Sequence, residues 1–282
     1  MNTDVDELIN TALAEDLADG PDITSRATIP AGQRSQLDLV AREDGVVAGL
    51  DVARRVFEIV GPIEVTIHTR DGDRISAGQV LLSAVGGTRD LLTAERTALN
   101  LLTHMSGVAT ATARWVDVLG PNGPRVRDTR KTLPGLRALQ KYAVRCGGGV
   151  NHRMSLSDAA HIKDNHVVAA GGVTEAFRAV REQFPGVPVE VEVDSLDQLA
   201  EVLDAGADLV LLDNFTPDQM RRAVVVNQGR ARLEASGGLT LDNAAEVATT
   251  GVDYVAVGAL THSVKVLDIG ADLREVPDAT HD

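Results

Sequence analysis

Basic side chains cluster in one stretch of an otherwise acidic chain. Residues 125–166 contain nine Arg or Lys and three Asp, whereas the whole 282-residue sequence has a formal net charge of -14. Three of its four lysines, Lys131, Lys141 and Lys163, fall in this stretch. An Arg guanidinium matches the planar shape of a carboxylate or phosphate, and a Lys ammonium adds a compact point charge. The mixture predicts a local site for a small ligand that carries several anionic groups.

Polar residues and glycines follow six apolar segments, where strands are predicted to end. They are Thr129-Arg130-Lys131, Lys163-Asp164-Asn165, Glu192 with Asp194, Asp213-Asn214, Ser236-Gly237-Gly238 and Val257-Gly258-Ala259. In parallel α/β folds such ends share one face, where active sites form. The last two ends, which contain glycine, favour phosphate binding by exposed backbone N–H groups. Glu192 and Asp213 suit ribose hydroxyls or a Mg²⁺ ion, although ordinary strand-end acids are the alternative.

Other charged or metal-type residues have simpler explanations. Arg137, Lys141 and Arg145 recur every four residues on a predicted helix, which favours a solvated face over a binding role. His161 and His166 match no zinc-motif spacing, so we predict no zinc site there.

The composition restricts the partners and the compartment. An acidic chain with a pI near 4.9 lacks the broad basic face that nucleic acid or an anionic membrane attracts. No apolar run approaches the roughly 18 residues of a membrane-spanning helix, and the acidic N-terminus does not resemble a secretion signal. A lone Cys146 cannot form an intrachain disulfide and fits a reducing compartment. These features predict a cytoplasmic protein with small-molecule partners.

Short apolar strands alternate with amphipathic helices after residue 124, which is typical of βα units around a parallel sheet. We predict strands at 125–130, 159–164, 189–194, 209–214, 232–237 and 254–259. We expect N-cap hydroxyls at Thr174, Ser195, Thr216 and Thr240. An eight-stranded barrel needs about 250 residues, so residues 108–261 favour an incomplete, roughly six-stranded parallel α/β barrel. A doubly wound open sheet is the alternative.

The N-terminal part, residues 1–107, mixes a predicted helix at 5–16 with strand-like pieces at 37–41 and 64–69. This pattern is typical of an α+β domain. The apolar spacing between Leu91 and Leu119 predicts two helices that are broken near Ser106-Gly107.

Motifs along nearly the whole chain resemble the quinolinate phosphoribosyltransferase family, also called carboxylating nicotinate-nucleotide pyrophosphorylases. In the second half they are DTRKTLPGLRALQKYAVRCGGGVNHR (128–153), IKDNH (162–166), EVEVDS (190–195), LLDN (211–214), EASGG (234–238) and VGALTHS (257–263). In the first half they are EDLADGPDITS (15–25), GVVAGLDVA (45–53) and LLTAERTALNLLTHMSGVAT (91–110). The resemblance implies an N-terminal α+β domain, to which residues 262–282 return, packed on an incomplete α/β barrel.

The resemblance also implies an activity. Quinolinate and 5-phosphoribosyl-1-pyrophosphate (PRPP) would give nicotinate mononucleotide, pyrophosphate and CO₂ in NAD biosynthesis, with Mg²⁺ as cofactor. Catalytic positions would be Lys131, Glu192 and Asp213, of which the two acids would also engage the metal through PRPP. The implied quinolinate-binding residues are Arg96, Arg130, His152, Arg153 and Lys163. The implied PRPP or phosphate contacts are Thr129, Lys131, Glu192, Asp213, Ser236, Gly237, Gly238, Val257, Gly258 and Ala259.

Arg96 matches an arginine that the family inserts from a partner subunit, so the resemblance implies a homodimer with shared active sites, or a hexamer built from such dimers. Two positions depart from the family: Ser155 replaces a usual Gly, and His161 replaces a usual large aliphatic residue. We expect both to affect local packing only. The competing interpretations are a related phosphoribosyltransferase for another base and a catalytically silent binder of phosphoribosyl ligands.

Overall fold

The computed structural model describes residues 5–18 and 20–276. It divides into two compact units. The first comprises the described residues of 1–111, 133–147 and 263–282, and the second comprises 112–132 and 148–262. These units differ from the predicted domains chiefly because residues 133–147 belong to the first unit. Residues 277–282, the end of the predicted returning segment, lie outside the described residues.

The strands within the described residues are β1 (Arg34–Ala41), β2 (Gly45–Val46), β3 (Glu64–Ile67), β4 (Arg74–Ile75), β5 (Val80–Gly87), β6 (Arg125–Arg127), β7 (Ala160–Ile162), β8 (Val189–Val193), β9 (Leu209–Asp213), β10 (Arg232–Ser236), β11 (Tyr254–Ala256) and β12 (Ile269–Glu275). The helices are α1 (Val5–Leu17), α2 (Ile23–Thr28), α3 (Leu50–Val60), α4 (Thr88–Leu119), α5 (Arg137–Cys146), α6 (Asp164–Ala170), α7 (Val173–Gln183), α8 (Leu196–Asp204), α9 (Pro217–Asn227), α10 (Leu241–Val247) and α11 (Ala259–His262).

An antiparallel sheet with the strand order β12-β1-β5-β3 forms the centre of the first unit. Its apolar side chains, including Leu39 and Leu82, share a buried cluster with Ile9 of α1 and Phe57 of α3. β12 pairs along the whole of β1 except Arg34, from Ser35 opposite Glu275 to Ala41 opposite Ile269. The first unit is therefore an α+β structure whose sheet includes a strand from the end of the chain.

The predicted break near Ser106-Gly107 is wrong, because α4 is one continuous helix of 32 residues. A Cβ atom at Gly107 would lie 2.4 Å from the backbone oxygen of Lys265, so the helix needs a glycine to approach that segment. The Ser106 hydroxyl accepts a hydrogen bond from the backbone N–H of Ala48. Both small residues therefore serve close packing inside a helix.

The second unit contains a parallel sheet with the strand order β6-β11-β10-β9-β8-β7. The first strand, β6, pairs with the last, β11, while β6 and β7 form the two edges. A doubly wound sheet would instead grow outwards in both directions from a central strand. The arrangement is a barrel with its gap between the first and second strands, which confirms the predicted incomplete six-stranded barrel. The connection across this gap contains residues 133–147, which belong to the first unit.

Three of the four predicted helix starts in the barrel are confirmed. Ser195, Thr216 and Thr240 stand at N-caps, each linked by a hydrogen bond to the residue three positions later. The prediction at Thr174 is wrong, since α7 follows Gly172 and the Thr174 side chain is buried instead. No helix among the described residues combines the length and the apolar character that crossing a bilayer requires.

Lys141 corrects the prediction of a solvated basic stripe. Its side chain on α5 is fully buried, whereas Arg145, one turn later, is exposed. The four-residue spacing placed these side chains along one stripe, but burial within the first unit changes along that stripe.

Candidate active site

The parallel sheet opens at its carboxyl end into a cavity of about 650 Å³. All of its lining residues belong to the second unit, and they come from each of the six strands or from the loops that follow them. They are Thr129, Arg130, Lys131, His152, Arg153, His161, Lys163, Asp164, Glu192, Leu211, Asp213, Asn214, Glu234, Ser236, Gly237 and Ala256.

Most of the predicted site residues meet at this cavity. The residues that line it are Thr129, Arg130, Lys131, His152, Arg153, Lys163, Glu192, Asp213, Ser236 and Gly237. Gly238 and the segment 257–259 are not among the lining residues, and Ala256 represents that last strand end. Arg96 lies on α4 in the first unit, where its side chain is 61% exposed and its nearest acidic neighbour is Glu95, at 3.8 Å.

Gly258 does not line the cavity itself but lies next to two residues that do, Lys131 and Thr129. A Cβ atom at this position would lie 3.0 Å from Cδ of Lys131 and 3.6 Å from Oγ1 of Thr129. The hydroxyl of Thr261 donates a 2.7 Å hydrogen bond to the backbone oxygen of Lys131. The glycine therefore leaves room for the stem of Lys131, and the short helix α11 holds its backbone.

Glu192, at the end of β8, and Lys163 lie at the rim of the cavity, and Glu192 is negatively charged. Its Oε2 accepts a 2.9 Å hydrogen bond from Nζ of Lys163 and lies 3.4 Å from Nε2 of His161. The contact with His161 and the ammonium of Lys163 together lower the pKa of Glu192 to about 2, against its partial burial. Glu192 is therefore a fixed anion beside a cluster of cations.

Asp213 lies at the end of the neighbouring strand β9, and its pKa is shifted in the direction opposite to that of Glu192. Burial and the nearby charge of Glu192 raise the pKa of Asp213 above its usual value. Its Oδ2 accepts a 2.8 Å hydrogen bond from the side-chain amide of Asn214. Asn214 has a left-handed backbone, and its Oδ1 would lie 2.1 Å from a Cβ at Gly237, which also has a positive φ of 85°. Gly237 is therefore required by this contact as well as by its backbone.

A network of buried charged and polar side chains lies at the bottom of the cavity. We call its four members the floor: Arg127, His152, Glu190 and Glu234. Nη1 of Arg127 forms an ion pair with Glu234 and lies 3.6 Å from Oε1 of Glu190. Nε2 of His152 is hydrogen-bonded to Glu190 and lies 3.9 Å from Oε1 of Glu234. Burial and the proximity of Glu190 raise the pKa of Glu234. Burial acts in the same direction on Glu190, but contacts with His152, His161 and Arg127 outweigh it and lower that pKa.

The tautomer of His152 follows from its two ring nitrogens. Nδ1 accepts a 2.7 Å hydrogen bond from the backbone N–H of Arg153, so the proton of the neutral ring resides on Nε2 and is donated to Glu190. Burial lowers the pKa of His152, which favours this neutral form although Glu190 opposes the shift. The carboxylate of Asp128 accepts the backbone N–H of His152 at 2.9 Å and so fixes the loop that carries both residues.

Two guanidinium groups complete the cationic side of the cavity. Nη1 of Arg153 donates a 2.8 Å hydrogen bond to the backbone oxygen of Ala159, which orients its fork. Nε of Arg130 is buried and has no hydrogen-bond partner among the described residues. Because a buried N–H without a partner is costly, Arg130 offers a donor that an anionic ligand would satisfy.

A metal has two candidate donor sets in the described second unit. Ligand atoms of His152, His161 and Glu190 lie within 4.8 Å of one another. Arg127, however, stands 3.6 Å from Glu190 and would repel a cation there. Glu192 and Asp213 instead offer carboxylate oxygens at the cavity wall, and such hard ligands are the ones that Mg²⁺ prefers.

Sequence reasoning missed three members of the floor, Arg127, Glu190 and Glu234, and the polar contacts of His161. β8 reads Val-Glu-Val-Glu-Val, an alternation that normally places acids towards solvent. In this barrel the outer face is covered by α7 and α8, so the valines pack outwards against helices and Glu190 and Glu192 face the interior. His161 pairs with Glu190 across β7 and β8 and lines the cavity, a place that the sequence analysis did not predict for it.

Comparison with known proteins agrees with this geometry. Residues 22–106 match the model of the quinolinate phosphoribosyl transferase N-terminal domain, and residues 108–272 match that of the C-terminal domain. A Mycobacterium leprae protein named nicotinate-nucleotide pyrophosphorylase [carboxylating] is 56% identical over 273 residues, which cover 95% of this chain and 96% of the relative. A Bacillus subtilis protein with the same name, marked probable, is 40% identical over 95% of this chain and 92% of its own length.

Solved structures show the same similarity. NadC from Streptococcus pyogenes superposes with a TM-score of 0.93 at 40% identity and covers 98% of both chains. The nicotinate-nucleotide pyrophosphorylase from Francisella tularensis gives a TM-score of 0.92 at 38% identity, over 97% of this chain and 98% of that one. With both domain models matched and near-complete coverage of these relatives, the chain belongs to the quinolinate phosphoribosyl transferase family.

Proposed function

We propose that this protein transfers the phosphoribosyl group of PRPP to quinolinate with loss of CO₂, giving nicotinate mononucleotide and pyrophosphate for NAD biosynthesis. One observation carries the proposal: a single cavity combines a cluster of Arg, Lys and His side chains with strand-end acids and a glycine-containing strand end. Quinolinate presents two adjacent carboxylates, and PRPP presents phosphates and ribose hydroxyls. Family membership supports the same assignment.

The cationic side of the cavity is the proposed quinolinate site. Arg130, Arg153 and Lys163 would bind the two carboxylates, since planar forks and a point charge suit paired anions. The buried Nε of Arg130, which has no hydrogen-bond partner among the described residues, supports this role. His152 presents a ring of fixed orientation next to them.

The opposite side is the proposed PRPP site. Thr129, Lys131, Ser236 and Gly237 would contact its phosphate groups, with Gly238 and residues 257–259 contributing backbone groups behind the lining. Glu192 and Asp213 would bind the ribose hydroxyls or a Mg²⁺ ion carried by PRPP, which fits their hard oxygen donors. When bound, Mg²⁺ neutralises charge on the pyrophosphate.

The residues of the chain would act by position and charge in the reaction. As the bond from ribose C1 to pyrophosphate breaks, positive charge grows on C1, and the anionic Glu192 and the neighbouring Asp213 stabilise it electrostatically. The pyridine nitrogen of quinolinate then forms the new bond to C1. The 2-carboxylate leaves as CO₂, and the ring carbon that it leaves takes up a proton. No covalent enzyme intermediate is required.

An assay of purified protein with quinolinate, PRPP and Mg²⁺ tests the proposal, with nicotinate as a parallel substrate. We expect nicotinate mononucleotide and CO₂ to form in equal amounts and only when quinolinate and Mg²⁺ are present. Turnover of nicotinate or another base without quinolinate turnover would favour a related phosphoribosyltransferase. PRPP binding without pyrophosphate release from any base would favour a silent binder.

The proposal extends to a homodimer in which Arg96 of each subunit reaches the other subunit's cavity, with a hexamer of such dimers as the larger alternative. The support is the high exposure of Arg96 and its place in the unit that does not line the cavity. An Arg96→Ala protein and a Lys163→Ala protein should each be nearly inactive, and mixed dimers should regain part of the activity. Verified mixed dimers without any recovery would refute the shared site.

We also propose that the protein acts in the cytoplasm, on the grounds of its acidic composition and single cysteine. Fractionation of the cells with an antibody to the chain tests this, and recovery in a membrane or organelle fraction would contradict it.

A further inference from the structure

Three contacts connect the His161 side chain to residues of the cavity and its floor. Its Nε2 lies 3.4 Å from Oε2 of Glu192, and its Nδ1 lies 3.6 Å from Oε2 of Glu190. Its ring stacks on His152 with 5.4 Å between ring centroids and 23° between planes. An aliphatic side chain could reproduce the packing of this ring but neither polar contact.

Strand pairing fixes the position of His161. In the parallel pair of β7 and β8, His161 is the register partner of Glu190. Successive inward-facing residues are two apart along a strand, so Glu192 follows Glu190 along β8, and Lys163, whose extended backbone comes directly after β7, follows His161. The backbone thus places His161 and Lys163 next to Glu192 without any adjustment of loops.

Both contacts of Glu192 fall on the same oxygen. His161 and Lys163 approach Oε2, while Oε1 has no hydrogen-bond or ion-pair partner among the described residues. Lys163 is 50% exposed and long, so its ammonium alone is a mobile partner. His161 has a short side chain that is only 9% exposed and a stacked ring. Its Nε2 has no hydrogen-bond partner among the described residues but lies at ion-pair distance from Oε2, so it adds a second, rigid restraint to that oxygen.

We propose that His161 is a positioning residue for PRPP binding: it fixes Oε2 of Glu192 so that Oε1 is held towards the phosphoribosyl substrate. The inference rests on the proposed function, because it assigns Glu192 to the PRPP side of the cavity. Stacking on His152 also joins this restraint to the quinolinate side. His161 touches no substrate in this role and acts only through Glu192.

Binding of PRPP with Mg²⁺ to the full chain, measured by calorimetry without quinolinate, tests the inference independently of turnover. We expect His161→Leu to weaken binding about tenfold, which corresponds to one lost positioned polar contact. His161→Gln, whose amide can donate one hydrogen bond to Glu192, should stay within about threefold of the parent protein. His68→Leu, at an exposed histidine that pairs with Ser83 in the first unit, is the matched control and should bind as the parent does.

A double-mutant cycle separates positioning from a general packing effect. In a Glu192→Gln background, we expect His161→Leu to change PRPP affinity by less than twofold, because the residue through which it acts has already been altered. A tenfold effect in that background would overturn the proposal, as would unchanged affinity in the single variant.

If Glu192→Gln binds PRPP too weakly to titrate, or if His161→Leu does not fold, the His161→Gln variant tests the positioning role instead. Affinity retained in His161→Gln, together with a loss in His161→Leu or in the smaller His161→Ala, supports positioning. Equal loss in the glutamine and the apolar variants refutes it. Failure of the parent protein to bind PRPP at all would instead refute the proposed function, so the two failures are distinguishable.

Discussion

The floor and the rim of the cavity use the same residue types under different conditions. On β8, Glu190 and Glu192 are two residues apart and face the same side of the sheet. Glu190 is nearly inaccessible; Arg127 lies close enough to compensate its charge, and His152 donates a hydrogen bond to it. Glu192 reaches the cavity, where one of its oxygens is held and the other is open. Two positions on the same strand therefore have different roles: the buried carboxylate of Glu190 stabilises the fold, whereas the carboxylate of Glu192 can contact a ligand.

The same contrast holds for the cations. Arg127 is 13% exposed, pairs with two glutamates and lies over the ring of Tyr254 at 4.9 Å. Lys163 is half exposed and has one acidic partner. We therefore expect substitutions of the floor residues Arg127, Glu190 and Glu234 to change chiefly the free energy of unfolding, and substitutions of Lys163 and Glu192 at the rim to change chiefly turnover.

The largest expected effect is on the floor. Arg127→Met would leave Glu190 and Glu234 buried without their cation, and breaking a buried pair in this way costs about 3–5 kcal/mol. Urea denaturation measures the loss. Arg125→Met, at an exposed position two residues earlier on β6, is the matched control and should change stability by less than about 0.5 kcal/mol. Equal stability of the two variants would show that the floor network is not structural.

The next effect is at the rim. Lys163→Met should lower kcat/KM for quinolinate by about 10²–10³-fold, since it removes a charged donor from the proposed carboxylate site. The same variant should lower the free energy of unfolding by less than about 1 kcal/mol, because the ammonium is half exposed and is one of two partners that keep Glu192 ionised. Lys265→Met removes a more exposed lysine of the first unit and should leave kcat/KM unchanged. A Lys163→Met protein that lost stability rather than activity would break the distinction between rim and floor.

The parts of this arrangement that follow short sequence patterns could be predicted. The six strands and their polar ends were found because apolar runs and N-cap hydroxyls are local signals, and the resemblance named the residues that meet at the cavity. The floor could not be found in this way. Glu190 and Glu234 lie on different strands, and their pairing with Arg127 depends on the strand order and register of the parallel sheet, which no single segment encodes.

Other errors have the same origin in tertiary contact. Gly107 looked like a helix break because its role, an approach to Lys265, involves a segment about 160 residues away. The contact of His161 with Glu192 could not be predicted, because Glu192 lies on another strand. The helical spacing of Lys141 is typical of a solvated face, but tertiary packing of α5 buries its side chain, and the sequence of the helix alone does not encode that packing.

A smaller effect concerns Glu192 and acid. Its pKa is about 2 in the folded protein and near 4.5 when unfolded, so its ionised form stabilises the fold above pH 4.5. That contribution is lost as the pH falls from 4.5 towards 2. After allowance for solvent screening we expect about 1 kcal/mol at pH 7. The stability advantage of the parent protein over Glu192→Gln, measured by urea denaturation without Mg²⁺, should therefore shrink between pH 6 and pH 3.

Glu201→Gln, at an exposed position on α8, is the control for that titration. Its stability difference from the parent protein should stay small at every pH. A Glu192→Gln difference that grows as the pH falls would contradict the assignment of Glu192 as a carboxylate held ionised by its neighbours.

The smallest expected effect concerns a single hydrogen bond outside both the floor and the rim. It gives a reference value for the stability changes expected in those two regions. Thr216 and Thr174 both looked like N-caps, but only Thr216 accepts the N–H of the residue three positions later. Thr216→Val should therefore cost about 1 kcal/mol of unfolding free energy. Thr174→Val should be neutral or slightly stabilising, because the buried Thr174 hydroxyl has no hydrogen-bond partner in the described part of the chain and valine has nearly the same shape. If both variants lost the same stability, an unseen partner of the Thr174 hydroxyl, such as a buried water, would have to be sought.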